Sequence, residues 1–170
     1  MTWARRGGAF GEGYSLLGCE PGGVNVLLTL RGCPQAGPHD CGEAAVRTVL
    51  RYWKVRGADA VRFATPQDGS DPRTLEAAMR LAGLHVLSGE MTADDLRHFC
   101  NAGKPVVALI QAHGAGHYVC TRGISRGWVY YYDPAAGEAK SRVADFAAAW
   151  HDADRLNAVF RSWGVVAYPR

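Results

Sequence analysis

The chain has 170 residues, 48% of them hydrophobic and 21% charged, and a formal net charge of +3. That length suits one domain with a proper core, and the composition is that of an ordinary soluble globular protein. The charge is spread along the chain with no basic run dense enough for nucleic acid, and no apolar stretch nears the roughly 20 residues that cross a bilayer.

Residues 1–23 are rich in Gly and lack periodicity, and they read as an N-terminal arm or irregular segment. Residues 24–170 read as the one domain. Arg5 and Arg6 are followed by Gly7-Gly8-Ala9-Phe10-Gly11, which is no signal-peptide apolar region, so a cytoplasmic location is expected. Five cysteines (19, 33, 41, 100 and 120) are odd in number and irregular in spacing. They argue against a disulfide framework and fit a reducing compartment.

Val24 to Leu30 is β-rich and predicts a strand. Gly32-Cys33-Pro34 breaks it and leads into Gln35 and a loop. Val46, Val49, Leu50 and Trp53 fall at helical spacing and predict a helix over 42–53. Residues 55–71 are polar and loop-like. Asp71-Pro72 starts a second helix, with Leu75, Ala78, Met79 and Ala82 on one face and Gly83 closing it. Leu84 to Leu87 is a short strand. Thr92 with Asp95 forms a capping-box pattern before a third helix, which Gly103 ends. Pro105 to Gln111 is an apolar run, a buried strand. Gly114 to Gly116 reads as a flexible link. Tyr118–Arg122 and Trp128–Tyr132 predict a hairpin around Ser125-Arg126-Gly127. Val143, Phe146, Ala147 and Trp150 mark a last helix, and Gly164 to Tyr168 a last strand. Helices first and an antiparallel sheet afterwards is the α+β pattern.

The chemistry-bearing residues come in the order Gln35, Cys41, His117, Asp133. These are the parts of a papain-like cysteine nucleophile: an oxyanion donor, a thiolate at a helix N-terminus, a base, and a group that orients the base. Helix N-termini and neighbouring imidazolium lower a thiol's pKa. Read alone, Cys41 is a small buried residue, Gln35 a surface amide, His117 a structural histidine, and Asp133-Pro134 a strand-ending turn. His113 rivals His117 but sits among Ala and Gly. A hairpin turn centred on residue 125 makes 117 and 133 cross-strand neighbours, with Cβ atoms about 4.5–5.5 Å apart. Gly42 beside the thiol and Gly116 beside the imidazole are expected to let a substrate backbone come close. Cys33, His39 and Cys41, or His113, His117 and Cys120, lack the paired cysteine spacing of a structural zinc site. No metal and no cofactor are expected, and there is no phosphate loop or dinucleotide fingerprint.

Gln35-Ala-Gly-Pro-His-Asp-Cys41-Gly42 before a helix, then His117-Tyr118-Val119 and Asp133-Pro134, resembles the bacteriocin-processing, double-glycine leader peptidases in a stand-alone form. The resemblance covers roughly residues 24 to 150. It implies a papain-like fold, with N-terminal helices packed on an antiparallel sheet. It implies a cysteine peptidase in which Cys41 is nucleophile, His117 base, Asp133 orienter and Gln35 oxyanion donor. The implied partner is a peptide or protein cut after Gly or another small residue. Two other readings stand beside it. One is different papain-like acyl chemistry, as in a cell-wall amidase or endopeptidase or an acyl transferase. The other is a catalytically silent module that binds a peptide. The sequence sets no oligomeric state.

Overall fold

Alternation along the strands decides how this chain layers. Val107 and Leu109 point to one side of their strand, and Val106, Ala108 and Ile110 to the other; both sets are buried. A strand buried on both faces must lie between two layers. The computed structural model describes residues 25–65, 69–112, 114–153 and 159–170. The expected arm over 1–23 lies outside them, as do Cys19 and His113.

The described elements are α1 (Cys41–Tyr52), a short 3-10 turn (Ala58–Ala60), α2 (Pro72–Leu81), β1 (His85–Glu90), α3 (Ala93–Asn101), β2 (Val106–Ala112), β3 (Ala115–Ser125), β4 (Trp128–Asp133), β5 (Gly137–Arg142), α4 (Val143–Ala149), β6 (His151–Ala153), β7 (Val159–Arg161) and β8 (Trp163–Tyr168). Six strands form one antiparallel sheet in the order β1-β8-β2-β3-β4-β5, and β6 pairs with β7 apart from it. On one face lie α1 and α2, whose Val46, Val49, Leu50, Leu75 and Met79 meet Val107, Leu109, Tyr118, Cys120 and Val165. On the other, Leu96 of α3 and Phe146 of α4 meet Val106, Ala108, Val119, Val129 and Val166. The chain is thus α+β, with a papain-like arrangement of helices on an antiparallel sheet.

Local signals set most boundaries. Asp71 accepts from Arg73 N at 2.8 Å with Pro72 in the first turn of α2. Thr92 and Asp95 close a reciprocal capping box on α3. Arg126 and Gly127 have φ of 50° and 78°, as a two-residue type I′ hairpin turn between β3 and β4 requires.

Four expectations are corrected. Residues 25–30 form no strand. Leu28 N donates to Arg122 O at 2.8 Å, and Val26 O fills the place where a Cβ on Gly123 would sit, 2.3 Å away. The ladder between β3 and β4 slips just there, between Thr121 and Gly123, so regular pairing cannot extend to this segment. The expected link at 114–116 is instead the start of β3 from Ala115 onward. The sequence reading assigned no strands to β5 or to β6 and β7. β5 (Gly-Glu-Ala-Lys-Ser-Arg) alternates in burial but carries no large apolar residue, as edge strands often do. Finally, the hairpin turns at 126–127, pairing Cys120 with Tyr132. Continuing that register sets Asp133 across from Val119, so Asp133 and His117 are diagonal and not directly opposed.

Candidate functional site

Cys41 is the first residue of α1, a helix whose first ten residues are all buried. Its core face, Ala45, Val46, Val49 and Leu50, is held in the core on the α1 side of the sheet. The polar side is also fixed. Glu43 is only 4% exposed; it pairs with buried Arg47 at 3.2 Å and accepts Phe63 N and Ala64 N at 2.8 and 3.1 Å. A buried carboxylate needs such partners. The helix therefore has little freedom to move the thiol at its start.

His117 sits near the beginning of β3, and Asp133 ends β4. Diagonal neighbours of a ladder lie about 7–8 Å apart, within reach of long side chains. Here the His117 Nε2 to Asp133 Oδ1 distance is 2.7 Å. Asp133 Oδ1 also accepts Ala135 N at 2.7 Å, so the Asp-Pro turn and the imidazole share one carboxylate. Burial of His117 opposes a charged ring, but the hydrogen bond to Asp133, the neighbouring Cys41 thiol and the charges of both outweigh it and raise the pKa to about 9. Burial pushes the Asp133 carboxyl up, yet the His117 and Ala135 hydrogen bonds prevail and hold it below the ordinary value. With Nε2 engaged by Asp133, Nδ1 is the ring nitrogen left for Cys41.

Gln35 is strung between both halves. Cys33 N donates to Thr48 Oγ1 in α1 at 2.9 Å, and Gln35 N donates to Pro134 O at 2.9 Å. A Cβ on Gly32 would lie 2.1 Å from the Tyr132 ring, so the segment presses against β4. The Gln35 amide donates from Nε2 to Gly37 O at 2.9 Å. A carbonyl only accepts, which fixes which end of the amide is nitrogen and leaves a second N–H. Oε1 is buried without a partner among the described residues.

A groove of about 210 Å³ opens beside Cys41, lined by Ser70, Gly116, Tyr118, Asp152 and Phe160 among others. Tyr118 is buried and donates to Ser70 O at 2.8 Å. The two glycines also have neighbours within the protein. A Cβ on Gly42 would meet Ser70 Cβ at 2.4 Å, and one on Gly116 would meet Asp152 Oδ2 at 1.6 Å. Both therefore make room for the protein's own side chains, and Gly116 also lines the groove. Sequence reasoning missed Ser70, Gln111 and Asp152. No pattern ties them to Cys41; only the fold brings them together. Among the described residues, no group of three or more His, Cys, Asp and Glu is arranged to hold a metal ion.

A profile of the Peptidase C39 family matches residues 32–153. The chain is 26% identical over 122 residues to a Pseudomonas fluorescens protein described as a probable functional amyloid protease, FapD. The match takes in 65% of this chain and 53% of that protein, so the chain spans about half the length of this curated relative. Its fold is similar to that of a double glycine motif protease from an AMS/PCAT transporter, solved in complex with the leader peptide. The TM-score is 0.65 at 20% identity, over 87% of this chain and all of that one. It is also similar to the peptidase domain of Streptococcus ComA, a bifunctional ABC transporter, with a TM-score of 0.58 at 16% identity, over 82% and 98% of the two chains.

Proposed function

From the premise that the chain belongs to the Peptidase C39 family and is a cysteine peptidase, we propose that Cys41, His117, Asp133 and Gln35 form its catalytic machinery. The observation that carries this reading is His117, hydrogen-bonded to Asp133 at Nε2 and near enough to the Cys41 thiol for its pKa to be raised by it. Asp133 fixes the ring so that Nδ1 takes the thiol proton. The Cys41 thiolate then attacks a peptide carbonyl carbon. The oxygen that becomes negative is met by the second N–H of the Gln35 amide and by the first-turn N–H of α1, which has no partner within the helix. His117 returns the proton to the leaving amine as the C–N bond breaks. Water, activated by the same imidazole, releases the acyl group and restores the thiol.

The substrate is an extended peptide, cut after Gly or another small residue. The groove, about 210 Å³ and lined in part by Tyr118 and Phe160, is smaller than the roughly 300–1,000 Å³ typical of ligand sites. The double glycine motif named for the similar transporter protease points the same way. No helix among the described residues is long and apolar enough to cross a membrane. The four described cysteines are free and buried, which supports a reducing, cytoplasmic setting.

A cleavage profile against a peptide library, wild type beside Cys41→Ala, tests the reading. Cleavage after small residues that vanishes in Cys41→Ala is expected. A preference for large aromatic or basic residues immediately before the cut would defeat the specificity, and cleavage surviving in Cys41→Ala would defeat the mechanism.

A further inference from the structure

Asp152 belongs to neither the triad nor the cores, yet the fold reserves a place for it beside the thiol. Gln111 and Gly116 face each other across β2 and β3. Gln111 Nε2 donates to Asp152 Oδ1, and the carboxylate occupies the volume of a missing side chain at Gly116, one residue before His117. Any other residue at 116 would strike Asp152 Oδ2 at 1.6 Å. Asp152 lines the same groove as Cys41. Among the described residues, no lysine or arginine bridges it. The groove lining has no lysine or arginine among the described residues, and it includes a second carboxylate, Asp71, whose Oδ1 already caps α2. The hydroxyl of Ser70, another lining residue, is buried without a partner among the described residues.

We propose that Asp152 is a specificity-determining residue that pairs with a cationic group of the substrate, a lysine or arginine side chain or a free amine, close to the scissile bond. The inference rests on the reading of Cys41 as nucleophile and refines its substrate class. Gln111 takes one carboxylate oxygen and leaves the other for the substrate. The narrow groove accepts a small residue at the attacked carbonyl, and the charge engages a neighbouring residue. Extended chain advances about 3.3 Å per residue, so the cation belongs within two or three residues of the cut. Carboxylates so placed mostly set partner choice and encounter rate.

The test has two arms. In the first, peptides differing only in lysine against norleucine, at each position flanking the cut, are compared with wild type and Asp152→Asn. Asparagine keeps the shape and the bond from Gln111 but removes the charge. At one position lysine should raise kcat/KM about tenfold over norleucine in wild type, and this ratio, taken within each enzyme, should fall to about one in the variant. In the second, Cys41 is modified with the cationic reagent 2-(trimethylammonium)ethyl methanethiosulfonate and the anionic 2-sulfonatoethyl methanethiosulfonate. Each transfers its alkylthio group to the thiolate, forming a disulfide and expelling methanesulfinate. The cation-to-anion rate ratio, read by mass at Cys41, should fall about tenfold in Asp152→Asn and stay put in Asp145→Asn, at an exposed position of α4. Asp152→Ala, checked by circular dichroism, stands in if the asparagine variant does not fold. An unchanged lysine preference together with an unchanged rate ratio overturns the proposal. If no peptide is cut, the nucleophile reading falls, and the rate ratio alone decides whether Asp152 acts on the groove.

Discussion

His117 holds its proton through two neighbours at once, and that has a sign. The ring titrates near 6.5 when free and near 9 in the folded chain. The native state binds more protons between these values, so the pair's contribution to stability is full below about pH 6.5 and is lost as pH rises through about 9. Asp133 gives the opposite edge. Its native carboxyl is lowered, so its contribution is present above the ordinary carboxylate range and lost as pH falls through the lowered value. Replacing His117 with Ala should flatten the loss of stability between pH 6.5 and 9, measured as urea midpoints on either side of that window. Asp133→Asn should move the alkaline limb of kcat/KM to lower pH, because the ring loses its acceptor. An unmoved limb would separate Asp133 from the reaction. Gln35→Ala should cut kcat by about 10²–10³-fold with little change in stability, and a loss under about fivefold would remove the amide from the mechanism. Among the described cysteines, iodoacetamide should reach Cys41 first. Burial raises the thiol of Cys33, pushes Cys100 up to about 11 and raises fully buried Cys120 further, whereas Cys41 lines a groove. Earlier labelling of Cys33, Cys100 or Cys120 would contradict this.

At the scale of elements, α1 is more than the carrier of a thiol. Its buried Glu43 holds Arg47 and the backbone of 63–64, so the segment after α1 is fastened to the turn that bears the nucleophile. Glu43→Ala leaves Arg47 buried and unpaired and should cost about 3–5 kcal/mol in urea unfolding. A cost below about 1 kcal/mol would mean that water already screens the pair. What could be read in advance follows from how local each signal is. Asp71-Pro72 and Thr92-Asp95 mark their helices because their partners are two or three residues away. The apolar face of α1 and the run from 106 to 111 declare themselves by periodicity. β5 and the β6–β7 pair were invisible because polar edge strands gain their pairing from neighbours distant in sequence, not from their own residues. The site divides the same way. Cys41, His117, Asp133 and Gln35 could be picked out by residue type and order. The roles of Gly42 and Gly116 could not, since they depend on Ser70 and Asp152 approaching from other parts of the chain.

The whole molecule joins these pieces through one sheet. Gln35 is tied to Thr48 through Cys33 and to Pro134 directly, and β8 near the C-terminus lies between β1 and β2. Cys41, His117 and Asp133 all sit on the main sheet or on the helix packed against it, so cleavage activity and far-UV circular dichroism should be lost at the same urea concentration. A site that fails at lower urea would point to local opening of the 33–40 segment. The tight turn at Arg126-Gly127 has a practical side. Both residues are exposed, and β3 takes eight steps from His117 to Ser125, which at about 3.3 Å per step puts the tip roughly 26 Å along the strand from His117. A fluorophore, affinity tag or fusion partner grafted there would ride on the rigid hairpin without crowding the groove. The enzyme could then be immobilised or tracked while its thiol stays open to peptides.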